Sequence, residues 1–153
     1  LSDDEGAECR DDVLCYATPA LPQPMMLAGP VELALFAASS ADVTDFTAAL
    51  VAVAADGTRE TLCEGVLRSR GVPGRTRRIT IDLGAACARL ATGQRLRLAV
   101  SSSAFPRWDR PSHTEVEPGA AAESEAAPAQ QTVFHDRERP SHLRIALLRS
   151  GDA

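Results

Sequence analysis

Hydrophobic and polar residues alternate with period two along most of the chain. Leu96, Leu98 and Val100 share one face of a segment whose other face carries Arg95, Arg97 and Ala99, the signature of a strand with one buried side. Ile79, Ile81 and Leu83 alternate with Arg78, Thr80 and Asp82. Val31, Leu33 and Leu35 alternate with Glu32, Ala34 and Phe36, after a turn at Gly29-Pro30. Near the end, Leu143, Ile145 and Leu147 alternate with His142, Arg144 and Ala146. Residues 46–54 are apolar on both faces, so something covers the outer face as well. Asp56-Gly57 is a two-residue hairpin signal and joins 46–54 to a second strand over 58–68. Shorter strands are predicted at 13–17 and 132–135, and one helical turn at 84–90. Gly65 marks a bulge or a close backbone approach.

The breaks between strands are equally readable. Pro19, Pro22 and Pro24 enforce an extended connection, and residues 71–74 form a loop. Residues 1–12 are acidic and unpatterned, a tail or linker. Residues 117–131 hold too little bulky apolar surface to offset ordering entropy and are expected to form a mobile loop. About eight short strands with almost no helix predict a single all-β domain over 1–153, a β-sandwich or barrel.

At 153 residues the chain is long enough to bury a real core. Every basic residue is arginine, a bias of GC-rich coding that lowers the meaning of any single Arg. The net charge of −5 argues against a nucleic-acid partner, which needs a basic face. No apolar run is long enough to span a bilayer as a helix. The chain starts at Leu1 without a basic-then-apolar leader, and a cytoplasmic piece of a longer chain is expected, rather than an exported one. Cys9, Cys15, Cys63 and Cys87 make no C-x-x-C pair, so a zinc site is not favoured. Cys15 and Cys63 sit in strand-like runs and are expected to be free thiols acting as small hydrophobes, with a disulfide, whose pairing sequence does not reveal, as the alternative.

Candidate chemistry concentrates after the strand that ends near Val100. Ser101, Ser102 and Ser103 could supply a nucleophile, with His113, His135 or His142 as base and Asp109 or Asp136 as orienting carboxylate. Serines at a strand end more often cap backbone groups. His113, Glu115, Glu117 and His135 match no metal-ligand spacing, so no metal and no cofactor are expected. His142 is expected to form a hydrogen bond at a domain boundary. Phe105, Arg107, Trp108 and Asp109 are the main ligand or interface candidates. Trp108 packs on Phe105, anchors an interface, or stacks a sugar ring. The last option makes a free-standing carbohydrate- or small-ligand-binding module the alternative reading.

An ordered set of phrases carries a resemblance. Asp12-Val13-Leu14-Cys15-Tyr16 comes first, then Thr44-Asp45-Phe46, Asp56-Gly57 and Gly65-Val66-Leu67-Arg68. Gly93-Gln94-Arg95-Leu96, Ser101-Ser102-Ser103, Phe105-Pro106, Asp109-Arg110 and Pro140-Ser141-His142-Leu143 follow. In this order, over roughly 11–148, the chain resembles the C-terminal domain of the cocaine-esterase-like hydrolases, which include the X-Pro dipeptidyl peptidases. The resemblance implies a jelly-roll β-sandwich, similar to galactose-binding-like folds. It also implies an upstream α/β-hydrolase catalytic domain as partner, with the Ser-Asp-His triad there and no catalytic residue here. No G-x-S-x-G elbow is present. The domain would then support the catalytic unit, shape its pocket and contribute to dimer contacts. The connection at 71–77 is shorter than the family's, Ala104 replaces a common asparagine, and Ser112-His113-Thr114-Glu115 replaces the usual continuation. The family's jelly roll begins well before its equivalent of Val13, so an exposed or differently covered sheet edge is expected.

Overall fold

The structure, a computed structural model, describes residues 2–3, 12–102 and 128–148. The described residues form nine strands and no helix. These are β1 (Ser2–Asp3), β2 (Leu14–Ala17), β3 (Met25–Ser39), β4 (Val43–Val53) and β5 (Arg59–Arg70), followed by β6 (Arg77–Leu90), β7 (Arg95–Ser101), β8 (Gln131–Phe134) and β9 (His142–Leu148). All pairings are antiparallel, in two sheets. The first runs β1-β2-β7-β4-β5; the second runs β6-β3-β8, with β9 also pairing β3. The fold is a β-sandwich, as the alternating pattern predicts.

The core lies between the sheets. Leu33, Leu35, Phe46, Leu50, Ile81 and Leu98 all belong to it and all point inward from alternating positions. Burying each such side chain contributes roughly 1.5–3 kcal/mol. Between the β4 and β5 ends the chain makes a three-residue loop, with Ala54 N–H donating to Thr58 O at 2.8 Å and Gly57 at φ +86°. This left-handed position is one that glycine adopts without steric cost. The two-residue turn expected from Asp56-Gly57 is thus one residue longer. A register shift between Leu50 and Val51 realigns the hairpin beyond it.

Three local expectations change. Gly29-Pro30 is not a turn before a strand but an irregularity inside β3, where the register slips against both β6 and β9. Proline has no ladder donor, so the strand tolerates it at a bulge. Residues 84–90 continue β6 rather than forming a helical turn. Pairing with β3 from Met25 to Pro30 supplies the ladder that local alanine propensity could not anticipate. Ser2–Asp3, placed in an unpatterned tail, pair with Tyr16–Ala17. The other residues of 1–11 and the loop over 117–127 lie outside the described residues.

The cysteines divide. Cys63 and Cys87 are free, and burial, helped by Glu64 beside it, pushes the Cys63 thiol up, which keeps it protonated and inert. Cys15 is disulfide-bonded, so its expected role as a free hydrophobe is corrected. A strand pattern reports burial but not whether a second sulfur lies within reach. Arg97, only 6% exposed, donates from its guanidinium to Cys15 Sγ at 3.1 Å.

Candidate functional site

The two sheets part along one flank. There β2 and β7 of the first sheet face β8 and β9 of the second across a groove of about 450 Å³. Its floor is core leucine, including Leu33, Leu35, Leu50 and Leu98. Its rim carries Tyr16, Thr18, His135, Ser141 and His142, of which His135 and His142 are exposed. The size falls in the range of small-ligand pockets. The lining is apolar below and polar above.

Each rim group has a local job. The Tyr16 and His135 rings meet edge to face, with centroids 6.0 Å apart and planes at 78°. Ser141 Oγ accepts from Phe36 N–H at 2.8 Å and donates to the Phe134 carbonyl. It therefore ties β3 to the turn between β8 and β9, and its oxygen is engaged on both sides. Asp136 accepts from the backbone N–H of Glu138 and Arg139 at 3.0 and 2.9 Å. It also pairs with the Arg139 guanidinium, which lies 3.7 Å over the Phe134 ring. This side-chain hydrogen bond, with the backbone donors behind it, holds the Asp136 carboxyl below the usual aspartate range. His142 opens β9; the Pro140 carbonyl can only accept, so Nδ1 donates to it at 2.9 Å.

This geometry decides part of the nucleophile question. His135 is engaged by an aromatic ring and Asp136 by an arginine, while Ser101 Oγ lies 2.7 Å from Thr47 Oγ1, on another part of the sandwich. Ser101 is thus bonded to β4, while His135 and Asp136 belong to the groove rim and its turn. The described residues contain no group of three or more His, Cys, Asp or Glu able to hold a metal. Of the interface candidates, Phe105, Arg107, Trp108 and Asp109 lie outside the described residues, as do Ser103, His113, Glu115 and Glu117. His142 is placed on the groove rim.

One polar feature was missed in the sequence. Asp45, 5% exposed, receives two hydrogen bonds of 2.9 Å from the Arg68 Nε and Nη2 atoms across the hairpin. A carboxylate inside an apolar strand needs such a partner. A second such feature joins Gln131 of β8, through its amide, to the Thr44 hydroxyl of the other sheet.

The model of the X-Pro dipeptidyl-peptidase C-terminal non-catalytic domain matches residues 4–144. The chain belongs to this family. It is 36% identical over 150 residues to the cocaine esterase of Rhodococcus sp. (strain MB1 Bresler), covering 92% of this chain and 26% of that protein. Among solved structures, an aminopeptidase from a marine-sediment Thaumarchaeota archaeon superposes with a TM-score of 0.85 at 25% identity. The match covers 97% of this chain and 28% of the aminopeptidase. An α-amino acid ester hydrolase superposes with a TM-score of 0.83 at 23% identity, covering 95% and 27%. The chain thus spans about a quarter of the length of these relatives. It is the non-catalytic C-terminal β-sandwich of this hydrolase family.

Proposed function

We propose that this domain works as the C-terminal support of a serine hydrolase whose catalytic α/β-hydrolase unit precedes it. The parent would cleave an ester or amide bond through an acyl-enzyme on serine. The observation that carries this reading is the family match over 4–144 by a chain only about a quarter as long as its relatives. Physically, a rigid sandwich contributes by fixing the position of a neighbouring unit rather than by moving protons. Its polar side chains at the groove are spent on its own backbone. The contact role of Phe105, Arg107, Trp108 and Asp109 against the catalytic unit belongs to the same proposal.

The test is a comparison of two proteins on aminoacyl esters and X-Pro amides. The 153-residue chain should show no turnover and no labelling by a serine-directed fluorophosphonate. The chain with its preceding polypeptide should show both. Turnover by the 153-residue chain, abolished by the fluorophosphonate, would overturn the reading.

A further inference from the structure

We propose that the corner where β5 turns into β6 is a docking surface for an acidic stretch of polypeptide that carries an apolar residue among its carboxylates. This goes beyond the hydrolase reading and does not depend on it.

The sequence concentrates charge at that corner. Arg68, Arg70, Arg75, Arg77 and Arg78 fall within eleven residues, and no acidic residue stands between Glu64 and Asp82. The chain as a whole is acidic, at −5, so this charge gathers against the sign of the molecule. Coding bias explains why none of the five is lysine; it does not explain five cations in one place.

Topology then spreads them over one outward-facing surface. β5 and β6 are end strands of the two sheets. Arg68 and Arg70 stand opposite Asp45 and Val43, on the outer face of the first sheet. Arg78 alternates with the core residues Ile79 and Ile81 and so lies on the outer face of the second. Arg70, Arg75 and Arg78 are exposed. The loop between the strands is held to a frame. Gly71 N–H donates to the Asp42 carbonyl at 2.8 Å, Gly74 N–H to the Ser39 carbonyl at 2.7 Å, and Arg75 N–H to the Val72 carbonyl at 3.1 Å. The Arg77 guanidinium occupies the space that a side chain on Gly71 would need. A fixed loop loses little freedom on binding. Two carboxylates stand near. Asp45 is taken by Arg68, and Asp42 accepts from the Val43 N–H at 3.0 Å.

Shape and surroundings select the partner. Cations on two outer faces and the corner between them suit a segment laid across them rather than an enclosed small molecule. Val72 in the same loop is 63% exposed, and an apolar centre with a polar rim is the anatomy of a protein interface. A long polyanion such as nucleic acid would run past the corner along a molecule of its own sign. A short acidic segment ends where the arginines end. Arginine grips a carboxylate with two parallel hydrogen bonds, as Arg68 does with Asp45.

Fluorescence anisotropy tests this on the 153-residue chain, with a fluorescein-labelled peptide of four glutamates around one leucine. The peptide should bind at low salt and bind more weakly as salt rises. Arg75→Glu with Arg78→Glu should weaken binding about tenfold. Arg75→Lys with Arg78→Lys keeps the charge and should stay within about threefold of the parent chain, which separates lost cations from lost folding. Val72→Ser should weaken binding about threefold. Arg89→Glu with Arg95→Glu makes the same change in net charge at exposed positions on the far end of the sandwich and should leave binding within about twofold. A peptide that stays free at low salt overturns the proposal, including where the arginines are already neutralised within the chain. Equal weakening by the far pair overturns it too, because the effect would then be one of total charge. Tighter binding of a single-stranded oligonucleotide of equal charge would replace the protein partner with a nucleic acid.

Discussion

The two flanks of the sandwich are built on opposite terms. On one, β5 and β6 close the gap so tightly that a Cβ on Gly65 would lie 2.1 Å from the Asp82 carbonyl oxygen. Within the first sheet the Asp45–Arg68 pair ties β4 to β5, and Ile81, Leu83 and Leu67 pack between the sheets. On the other flank, β2 and β7 stand away from β8 and β9. Among the described residues the gap is spanned by rim contacts such as Tyr16 against His135. The same interior leucines lie under both flanks. The difference is one of closure: among the described residues one flank is packed shut and the other opens on a groove. The closed side reads as stability.

Substitutions should reproduce that asymmetry, and the largest effect belongs to the interior. Ile81→Ala, at a position 0% exposed, should cost about 3–4 kcal/mol in urea unfolding. A loss under 1 kcal/mol would mean that the closed side is not the packed one. Gly65→Ala forces β5 away from β6 and should cost about 2–3 kcal/mol, with no change in the slope against urea. Ser141→Ala removes a donor and an acceptor at one point and should cost about 2 kcal/mol. It should leave hydrolysis by the proposed parent intact, whereas loss of acylation with unchanged stability would make Ser141 a nucleophile candidate. Leu143→Ala, half-buried on the open flank, should cost only about 1 kcal/mol in the short chain. A loss as large as that of Ile81→Ala would show that the two flanks are packed alike.

The smallest effect is electrostatic. Asp136 has its carboxyl held down by Arg139 and by two backbone donors. A depressed folded-state value means stabilisation that is present above the ordinary aspartate range and lost as pH falls through the folded one. The group is fully exposed, so the effect is small and screened by salt. Asp136→Asn should flatten the acid limb of the stability profile slightly without moving its neutral plateau. An unchanged acid limb would show that the turn over 136–139 contributes nothing to the open flank.

Much of this was legible in advance. The inward positions of β3, β6, β7 and β9 follow from period-two alternation, because burial on one face selects the same parity along a whole strand. The ordered phrases from Asp12 to Leu143 carried the family. The Asp45–Arg68 pair was within reach too: a hairpin turning at Asp56-Gly57 brings those positions opposite each other. The longer loop and the shift at Leu50/Val51 cancel to keep them there. Other features left no local trace. Alanine-rich 84–90 looked helical because its ladder partner stands more than fifty residues upstream in β3. The Cys15 disulfide depends on where a second sulfur lies in space. The phrase Pro140-Ser141-His142-Leu143 marked the family correctly, yet its serine serves Phe36 and Phe134 rather than a substrate.

By itself, then, the order of residues determined which side of most strands is buried, most of the turns between them, and the family. These are properties of neighbours along the chain, set by parity, turn chemistry and side-chain size. Only the tertiary structure decided which strands pair, where the sheets meet and where they part. Those outcomes depend on long-range partners, and a residue's own neighbours carry no record of which distant strand will satisfy its backbone.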